Sequence, residues 1–179
     1  MRLFIAVNFN ESIKDSLNET IERLKLHAFQ GSFTYPENLH LTLIFLGEVN
    51  HNEIDNVTLA MKRVIAKRFT LTMGGLGHFV RDDGDIYWIG IDRCETLLSI
   101  QNQLKEELIK EGFNIEDRKF KAHITLGRRI RLNRQCDITE FTKSMSTIKA
   151  DVSKISLMKS ERIKNRLIYT EIYAKELEI

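Results

Sequence analysis

The sequence predicts a mixed fold of helices and strands, in which two similar lobes face each other across a cleft. A tetrad of His, apolar, Thr and apolar residues occurs twice, at 40–43 and at 123–126, nearly half the chain apart. Each tetrad follows a predicted helix and a loop. Crossover helices cover one face of a sheet and leave the other face free. Two such free faces, turned toward each other, would form the cleft.

The composition indicates one ordinary globular domain spanning residues 1–179. Apolar residues make up 42% of the chain and charged residues 29%, which argues against disorder. The formal net charge of +2 is too small to indicate nucleic-acid binding by itself. No apolar run is long enough to span a membrane, and the amino terminus does not resemble a signal peptide. Cys94 and Cys136 lack the spacing of a metal site and are typical of free thiols. We therefore expect a cytoplasmic monomer with no membrane partner.

The first third of the chain predicts a strand, a helix and a second strand. Residues 1–9 are almost all apolar, which is typical of a buried strand. Asn10 can cap the helix that follows. The apolar residues of this helix recur at helical spacing and are Ile13, Leu17, Ile21 and Leu24. Gly31 ends the element, and a turn at 35–38 leads to the strand at 40–49.

The middle of the chain predicts a second helix and a hairpin. Asn50 and Glu53 resemble a capping box, and apolar residues at helical spacing then indicate a helix over 54–65. Residues 69–73 alternate with period two, as a half-buried strand does. The glycines expected to end this strand are Gly74, Gly75 and Gly77. An acidic turn leads to a strand at 86–91, so the two strands are expected to pair.

The last part of the chain predicts a third helix, the strand of the second tetrad, a short helix and two closing strands. The third helix carries the apolar residues Leu97, Ile100, Leu104 and Leu108. Gly112 is its expected stop, and the second tetrad then lies in a strand at 120–126. Asp137 begins the short helix. Strands at 152–158 and 167–177 close the chain around a charged turn.

The two tetrads carry side chains suited to acid–base chemistry. Alternate side chains of a strand point to one face, so His40 shares a face with Thr42, and His123 shares one with Thr125. Imidazole, with an unperturbed pKa of about 6.5, can accept or donate a proton near neutral pH. Two facing imidazoles supply a base and an acid together, which suits displacement at phosphorus, where water loses a proton while a leaving oxygen gains one. A Thr hydroxyl on the same face can donate to a phosphate oxygen.

A single His-x-Thr in a strand usually marks a solvated polar face, whereas two copies in matching contexts favour a paired active site. No third His or carboxylate lies at ligand spacing near either tetrad, so we predict neither a metal nor a cofactor. His27, His51 and His78 are predicted to be structural or solvated, and Trp88 to lie in the core. Two basic clusters are consistent either with a solvated face or with contacts to an RNA backbone. They are Arg128, Arg129, Arg131 and Arg134, and Lys159, Arg162, Lys164 and Arg166.

At these residues the chain resembles the 2H phosphoesterase superfamily, which is named for its two His-x-Thr motifs. It is most similar to the branch of bacterial and archaeal RNA 2′,3′-cyclic phosphodiesterases, once described as 2′-5′ RNA ligases. The resemblance covers nearly the whole chain, and its segments follow in the family's order. They are 2–7, 36–43, 45–48, 75–79, 88–90 and 123–128. The run Pro36-Glu37-Asn38-Leu39-His40 is more specific than either tetrad alone.

This resemblance implies a bilobal α+β fold, with two pseudo-symmetric antiparallel sheets flanked by helices and a central cleft. It implies hydrolysis of a 2′,3′-cyclic phosphate at an RNA or oligonucleotide end to a 2′-phosphomonoester. His40 would give a proton to the leaving 3′ oxygen and His123 would accept one from water, although the spacing alone leaves the two roles interchangeable. Thr42, Thr125 and Arg128 would bind the phosphate.

The position of Arg128 depends on local geometry. It lies five residues after His123, so in a regular strand its side chain would point away from the cleft. A bulge at Gly127 would re-aim it, and without a bulge Arg129 is the better candidate. Two other functions also stay open from the sequence. One is the joining of RNA ends through a 2′-5′ linkage, which the same histidines would serve, and the other is an RNA-binding module without turnover.

Overall fold

Two antiparallel sheets and four helices make up the computed structural model, which describes all residues 1–179. The strands are β1 (Arg2–Asn8), β2 (Ala28–Phe33), β3 (His40–Glu48), β4 (Phe69–Phe79), β5 (Asp85–Ile91), β6 (His123–Leu132), β7 (Ile148–Val152), β8 (Lys154–Ile163) and β9 (Arg166–Glu176). The helices are α1 (Glu11–Lys25), α2 (Ile54–Lys62), α3 (Glu95–Lys110) and α4 (Ile138–Lys143).

The strands are distributed between the sheets in an interleaved way. The first sheet has the order β3-β1-β8-β9, and the second sheet has the order β2-β6-β5-β4-β7. The first sheet therefore combines two strands from the start of the chain with two from its end. The bilobal α+β prediction is confirmed, and each tetrad lies in a different sheet, on β3 and on β6.

The helices cover the sheets and share one core with them. Helix α1 contacts β2, β6 and β7 of the second sheet, while α2 and α3 contact each other and strands β9 and β3 of the first. Buried apolar residues of both sheets, such as Ile5 and Ile89, belong to one continuous hydrophobic cluster. None of the four helices combines the length and apolar character that crossing a membrane requires.

The predicted helix starts are confirmed. The Asn10 side chain accepts a hydrogen bond of 3.0 Å from the backbone N–H of Ile13, and Asp137 caps α4 in the same way. Asn50 and Glu53 form the expected capping box, which begins a 3₁₀ turn that leads into α2.

Several predicted boundaries are wrong. Strand β4 continues through its glycines to Phe79, because a register shift between Gly74 and Leu76 absorbs the positive φ of Gly75. The second tetrad begins its strand rather than ending it, and β6 runs on to Leu132. Strands β2 and β7 were not predicted. The β2 side chains are mostly exposed along the strand, so they lack the alternation that would have indicated it.

Candidate active site

The two tetrads lie on strands that contact each other across the two sheets, β3 of the first and β6 of the second. In both, the apolar members are buried and the polar members are half-buried, as the alternation predicts. The buried members are Leu41 and Leu43 in one tetrad and Ile124 and Leu126 in the other. The two imidazoles are close enough for the charge of His123 to lower the pKa of His40.

The ring of His40 is held at both nitrogens. Its Nδ1 lies 2.7 Å from the backbone carbonyl oxygen of Asn38. A carbonyl can only accept, so Nδ1 carries the proton and Nε2 of the neutral ring is an acceptor. The hydroxyl of Thr42 lies 2.9 Å from that Nε2 and donates to it. The Asn38 side chain is itself fixed by a 2.8 Å hydrogen bond from Nδ2 to the carbonyl of Leu167 on β9.

The ring of His123 is held at one nitrogen only. Its Nδ1 lies 2.7 Å from the carbonyl oxygen of Lys121, again two residues before the histidine. The same reasoning puts the proton on Nδ1 and a lone pair on Nε2. No hydrogen bond joins this Nε2 to Thr125, which differs from the arrangement at His40.

Burial is the main cause that lowers the pKa of both histidines. At His40, the hydrogen bond to Asn38 opposes this effect, and the charges of Arg128 and His123 lower the pKa further. At His123, the hydrogen bond to Lys121 opposes burial, and the charges of Arg128 and Lys121 add to it. Both imidazoles therefore favour the neutral form more than a histidine in water does.

Arg128 reaches the cleft because β6 contains the predicted bulge. Trp88 pairs with Thr125 while the adjacent Tyr87 pairs with Gly127, so β6 has one extra residue between the two pairs. An extra residue reverses the alternation beyond it and brings Arg128 to the side of His123. The charge of Arg128 accordingly lowers the pKa of both histidines.

A glycine is required at the bulge. A Cβ on Gly127 would lie 2.7 Å from the side chain of Ile130 and 3.0 Å from the carbonyl oxygen of Ser32. Arg128 and Arg129, the alternative for a regular strand, are both exposed, but it is the charge of Arg128 that lowers the pKa of the two histidines, and Arg129 has a φ of 54°. The bulge thus leaves Arg128, rather than Arg129, as the arginine beside the histidines.

Aromatic rings surround each imidazole, and sequence reasoning missed most of them. Phe4 and Tyr169 pack on His40 with ring centroids 4.8 and 5.2 Å away. Phe79 and Trp88 border His123 at 5.3 and 5.9 Å. Phe4 lies in the apolar run of β1 and was assigned only to the core. Tyr169 is more than forty residues from either tetrad, so only the pairing of β9 in the first sheet could have placed it.

Trp88 is not a core residue, contrary to the prediction. Its indole lies on the cleft face of the second sheet, where a Cβ on Gly77 would come within 2.1 Å of the ring. The amino group of Lys121 lies 4.2 Å from the ring centroid, and the indole Nε1 is buried without a hydrogen-bond partner. Beside it, a cavity of about 380 Å³ extends to the start of α3.

The other residues singled out in the sequence lie outside the cleft or at its rim. His78 stacks on Tyr87, 3.8 Å from a carboxylate oxygen of Asp85. His27 packs edge-on against Phe141. Of the second basic cluster, Arg166 ion-pairs with Glu37 just before the first tetrad. No three His, Cys, Asp or Glu side chains come together as a metal site would need.

Comparison with known proteins identifies the family and several relatives of this chain. The model of the 2′-5′ RNA ligase superfamily matches residues 13–164. An RNA 2′,3′-cyclic phosphodiesterase from Thermotoga maritima is 37% identical over 131 residues, covering 72% of this chain and 70% of that protein. Another, from Archaeoglobus fulgidus, is 32% identical over 175 residues, covering 96% of this chain and 98% of that protein.

The fold also matches a solved structure along its whole length. The crystal structure of E. coli LigT complexed with 3′-AMP superposes with a TM-score of 0.81 at 25% sequence identity. The match covers 98% of this chain and 97% of LigT. The interleaved arrangement of two sheets is therefore shared with a protein that has been crystallised with a nucleotide.

Proposed function

Because the chain belongs to the 2′-5′ RNA ligase superfamily of 2H phosphoesterases, we propose that it hydrolyses RNA 2′,3′-cyclic phosphate ends to 2′-phosphomonoesters, using His40 and His123 as acid and base without a metal ion. Relatives that cover most of this chain are RNA 2′,3′-cyclic phosphodiesterases. The continuous hydrophobic cluster through both sheets supports one catalytic domain that spans residues 1–179.

One observation carries the proposal. Each imidazole donates its Nδ1 proton to a carbonyl two residues earlier on its own chain segment, at Asn38 and at Lys121. This anchoring directs both Nε2 atoms to the faces that meet between the sheets, where the charge of Arg128 also acts; Nε2 of His123 is unbonded, and Nε2 of His40 is bonded only to the Thr42 hydroxyl. Two imidazoles beside a cation are the groups that displacement at a phosphate requires.

In the proposed reaction, Nε2 of His123 accepts a proton from water as its oxygen bonds to phosphorus. The bond from phosphorus to the 3′ oxygen breaks, and a protonated Nε2 of His40 gives its proton to that oxygen. The 2′ ester bond is kept, so the product is a 2′-phosphomonoester and a free 3′ hydroxyl. The unpartnered Nε2 of His123 supports its role as the base, because its lone pair is free to meet water.

Thr42, Thr125 and Arg128 are proposed to hold the non-bridging phosphate oxygens. Each Thr shares a strand face with its histidine, and a hydroxyl can donate to an anionic oxygen. The hydroxyl of Thr42 now donates to His40, so protonation of His40 would release it toward the phosphate. The guanidinium of Arg128 would offset the negative charge that develops in the transition state.

The test is an assay of a 2′,3′-cyclic oligonucleotide in the presence of EDTA, with the position of the product phosphate determined. We expect a 2′-phosphate at an undiminished rate. A 3′-phosphate would contradict the proposed bond cleavage, and loss of activity in EDTA that a divalent cation restores would contradict metal independence. If oligonucleotides with 5′ hydroxyl and cyclic phosphate ends are joined instead, the protein is a ligase. If RNA is bound but no product forms, the protein is an RNA-binding module.

A further inference from the structure

We propose that Tyr35 and Arg166 form a stacking platform for the nucleobase that precedes the terminal nucleotide of the RNA, an inference that rests on the proposed function. The ligand is thus a single-stranded RNA segment of at least two nucleotides. This platform is separate from the groups proposed to act on the phosphate, and it would make the enzyme favour oligonucleotides over cyclic mononucleotides.

The platform lies in a segment that crosses from one sheet to the other beside the histidines. At its start, Thr34 is fixed to β6 by hydrogen bonds from its N–H to the Leu126 carbonyl, at 2.8 Å, and from its hydroxyl to the Thr125 carbonyl, at 2.9 Å. At its end, the Asn38 side chain donates to the Leu167 carbonyl of β9, and the Asn38 carbonyl holds His40. Both tetrads are therefore anchored next to Tyr35, at the rim of the cleft.

Tyr35 is open to solvent although its surroundings are fixed. Its side chain is 51% exposed, and the guanidinium carbon of Arg166 lies 4.4 Å from the ring centroid. Arg166 is itself exposed and is oriented by an ion pair with Glu37. Phenol rings and guanidinium planes are the surfaces on which proteins stack unpaired bases. A pair of this kind is preorganised for a base at little further cost in side-chain entropy.

The ring of Tyr35 is not needed to attach β9 to this segment. A hydrogen bond between Asn38 and Leu167 and an ion pair between Glu37 and Arg166 already join β9 to the segment, and neither involves the phenol ring. An exposed tyrosine that adds so little to attachment is more simply explained by a ligand on its free surface.

Positive charge surrounds the platform on the side from which an RNA chain would arrive. Arg166 begins β9, Arg162 lies near the end of β8, and Lys164 lies in the turn that joins the two strands; all three are exposed. Arg128 and Arg129 lie on β6, whose residues 127 and 128 pair with Phe33 and Ser32 just before Tyr35. Lys and Arg side chains along such a path favour the phosphates of a single strand. Cationic side chains therefore lie on both elements to which the segment of Tyr35 is bonded, the β8–β9 hairpin and β6.

The test compares kcat/KM for a linear dinucleotide that ends in a 2′,3′-cyclic phosphate with kcat/KM for the 2′,3′-cyclic mononucleotide of the same terminal base. The ratio of the first value to the second measures the contribution of the preceding nucleotide. Stacking on one aromatic residue accounts for roughly 5- to 100-fold in affinity, so we expect Tyr35→Ala to lower the ratio of the two kcat/KM values about tenfold. Tyr35→Phe keeps the ring and is expected to keep the ratio within about twofold. Arg166→Lys keeps the charge but loses the plane, and is expected to lower the ratio about threefold.

Two outcomes would overturn the platform: an unchanged ratio in Tyr35→Ala, which includes an equal loss on both substrates, or the same fall of the ratio in Tyr35→Phe. If the wild-type protein hydrolyses neither substrate, the proposed function fails, but the platform is still tested by binding. In that case, fluorescence anisotropy with a labelled pentanucleotide that ends in a 2′-phosphate should show weaker binding for Tyr35→Ala than for Tyr35→Phe. Equal affinities would reject it.

Discussion

The sites of His40 and His123 share a backbone design but differ in what surrounds the ring. Each Nδ1 is bonded at 2.7 Å to a carbonyl two residues before the histidine. At His40 the other nitrogen is engaged by Thr42, and the ring packs against Phe4 and Tyr169, which also contact each other. At His123 the other nitrogen has no such bond, and a cavity opens beside the neighbouring Trp88.

This difference indicates that the pseudo-symmetric histidines are not interchangeable. A base needs a free lone pair that water can reach, which describes Nε2 of His123. An acid must first hold a proton, and Nε2 of His40 has a hydroxyl that can rotate from donating to accepting once the ring is protonated. The carbonyl anchors set the common orientation, while the Thr bond and the aromatic neighbours distinguish the two rings and support the proposed roles.

The largest expected effect is the loss of either imidazole. His40→Ala and His123→Ala should each lower kcat by about 10²–10⁴-fold, because each removes one proton-transfer group. Binding of a labelled 2′-phosphate oligonucleotide should change by less than about threefold, since neither ring is proposed to hold the RNA. Steady-state kinetics and fluorescence anisotropy measure the two quantities.

His78→Ala is the matched control, because His78 lies on the second sheet away from the cleft, stacked on Tyr87. It should keep nearly full activity. His40→Ala also removes the packing of the imidazole against two aromatic rings, so thermal unfolding should be recorded and His40→Gln tested beside it. A histidine variant that retained more than about a tenth of the wild-type kcat would break the comparison, because one ring would then be sufficient.

Substitution of Arg128 is expected to have the next largest effect, because its charge lowers the pKa of both histidines and therefore lies near both rings. Arg128→Ala should lower kcat/KM roughly 10²-fold, the usual loss when one donor to a developing oxyanion is removed. Arg129→Ala removes the same charge from the adjacent residue, which follows in the alternation past the bulge, and should lower kcat/KM less than about threefold. Equal losses in the two variants would mean that the cluster acts only through its total charge.

The placement of the two His-Thr pairs on strand faces could be predicted from the sequence, whereas the difference between their surroundings could not. Strand alternation put His40 with Thr42, and the repeat of the same pattern pointed to His123 and Thr125. The need for a bulge before Arg128 also followed from counting residues, although its existence depends on how β6 pairs with β5. Tyr169 depends on the pairing of β9 with β8, which is a long-range contact that local patterns do not contain.

The pH dependence of the rate should distinguish His40 from His123, through effects smaller than those of the substitutions above. Burial lowers the pKa of both histidines below the ordinary value of 6.5, so the bell-shaped profile of kcat/KM, which reports the free enzyme, should be centred below pH 6.5. In the complex, the negative phosphate favours the protonated form of His40. The alkaline limb of kcat should therefore lie at higher pH than the alkaline limb of kcat/KM.

Removal of the Lys121 charge tests which histidine is the base and which is the acid. The charge of Lys121 is one of the causes that lower the pKa of His123, whereas the charges that lower the pKa of His40 are those of Arg128 and His123; the Lys121 carbonyl, which anchors His123, belongs to the backbone. Lys121→Met should therefore raise the pKa of His123 and move the acidic limb of kcat/KM to higher pH, with the alkaline limb unchanged. A shift of the alkaline limb instead would reverse the two roles. A wild-type rate that rises steadily from about pH 5 to about pH 9 would rule out the histidine pair, because an acid that must stay protonated has to lose activity as the pH rises.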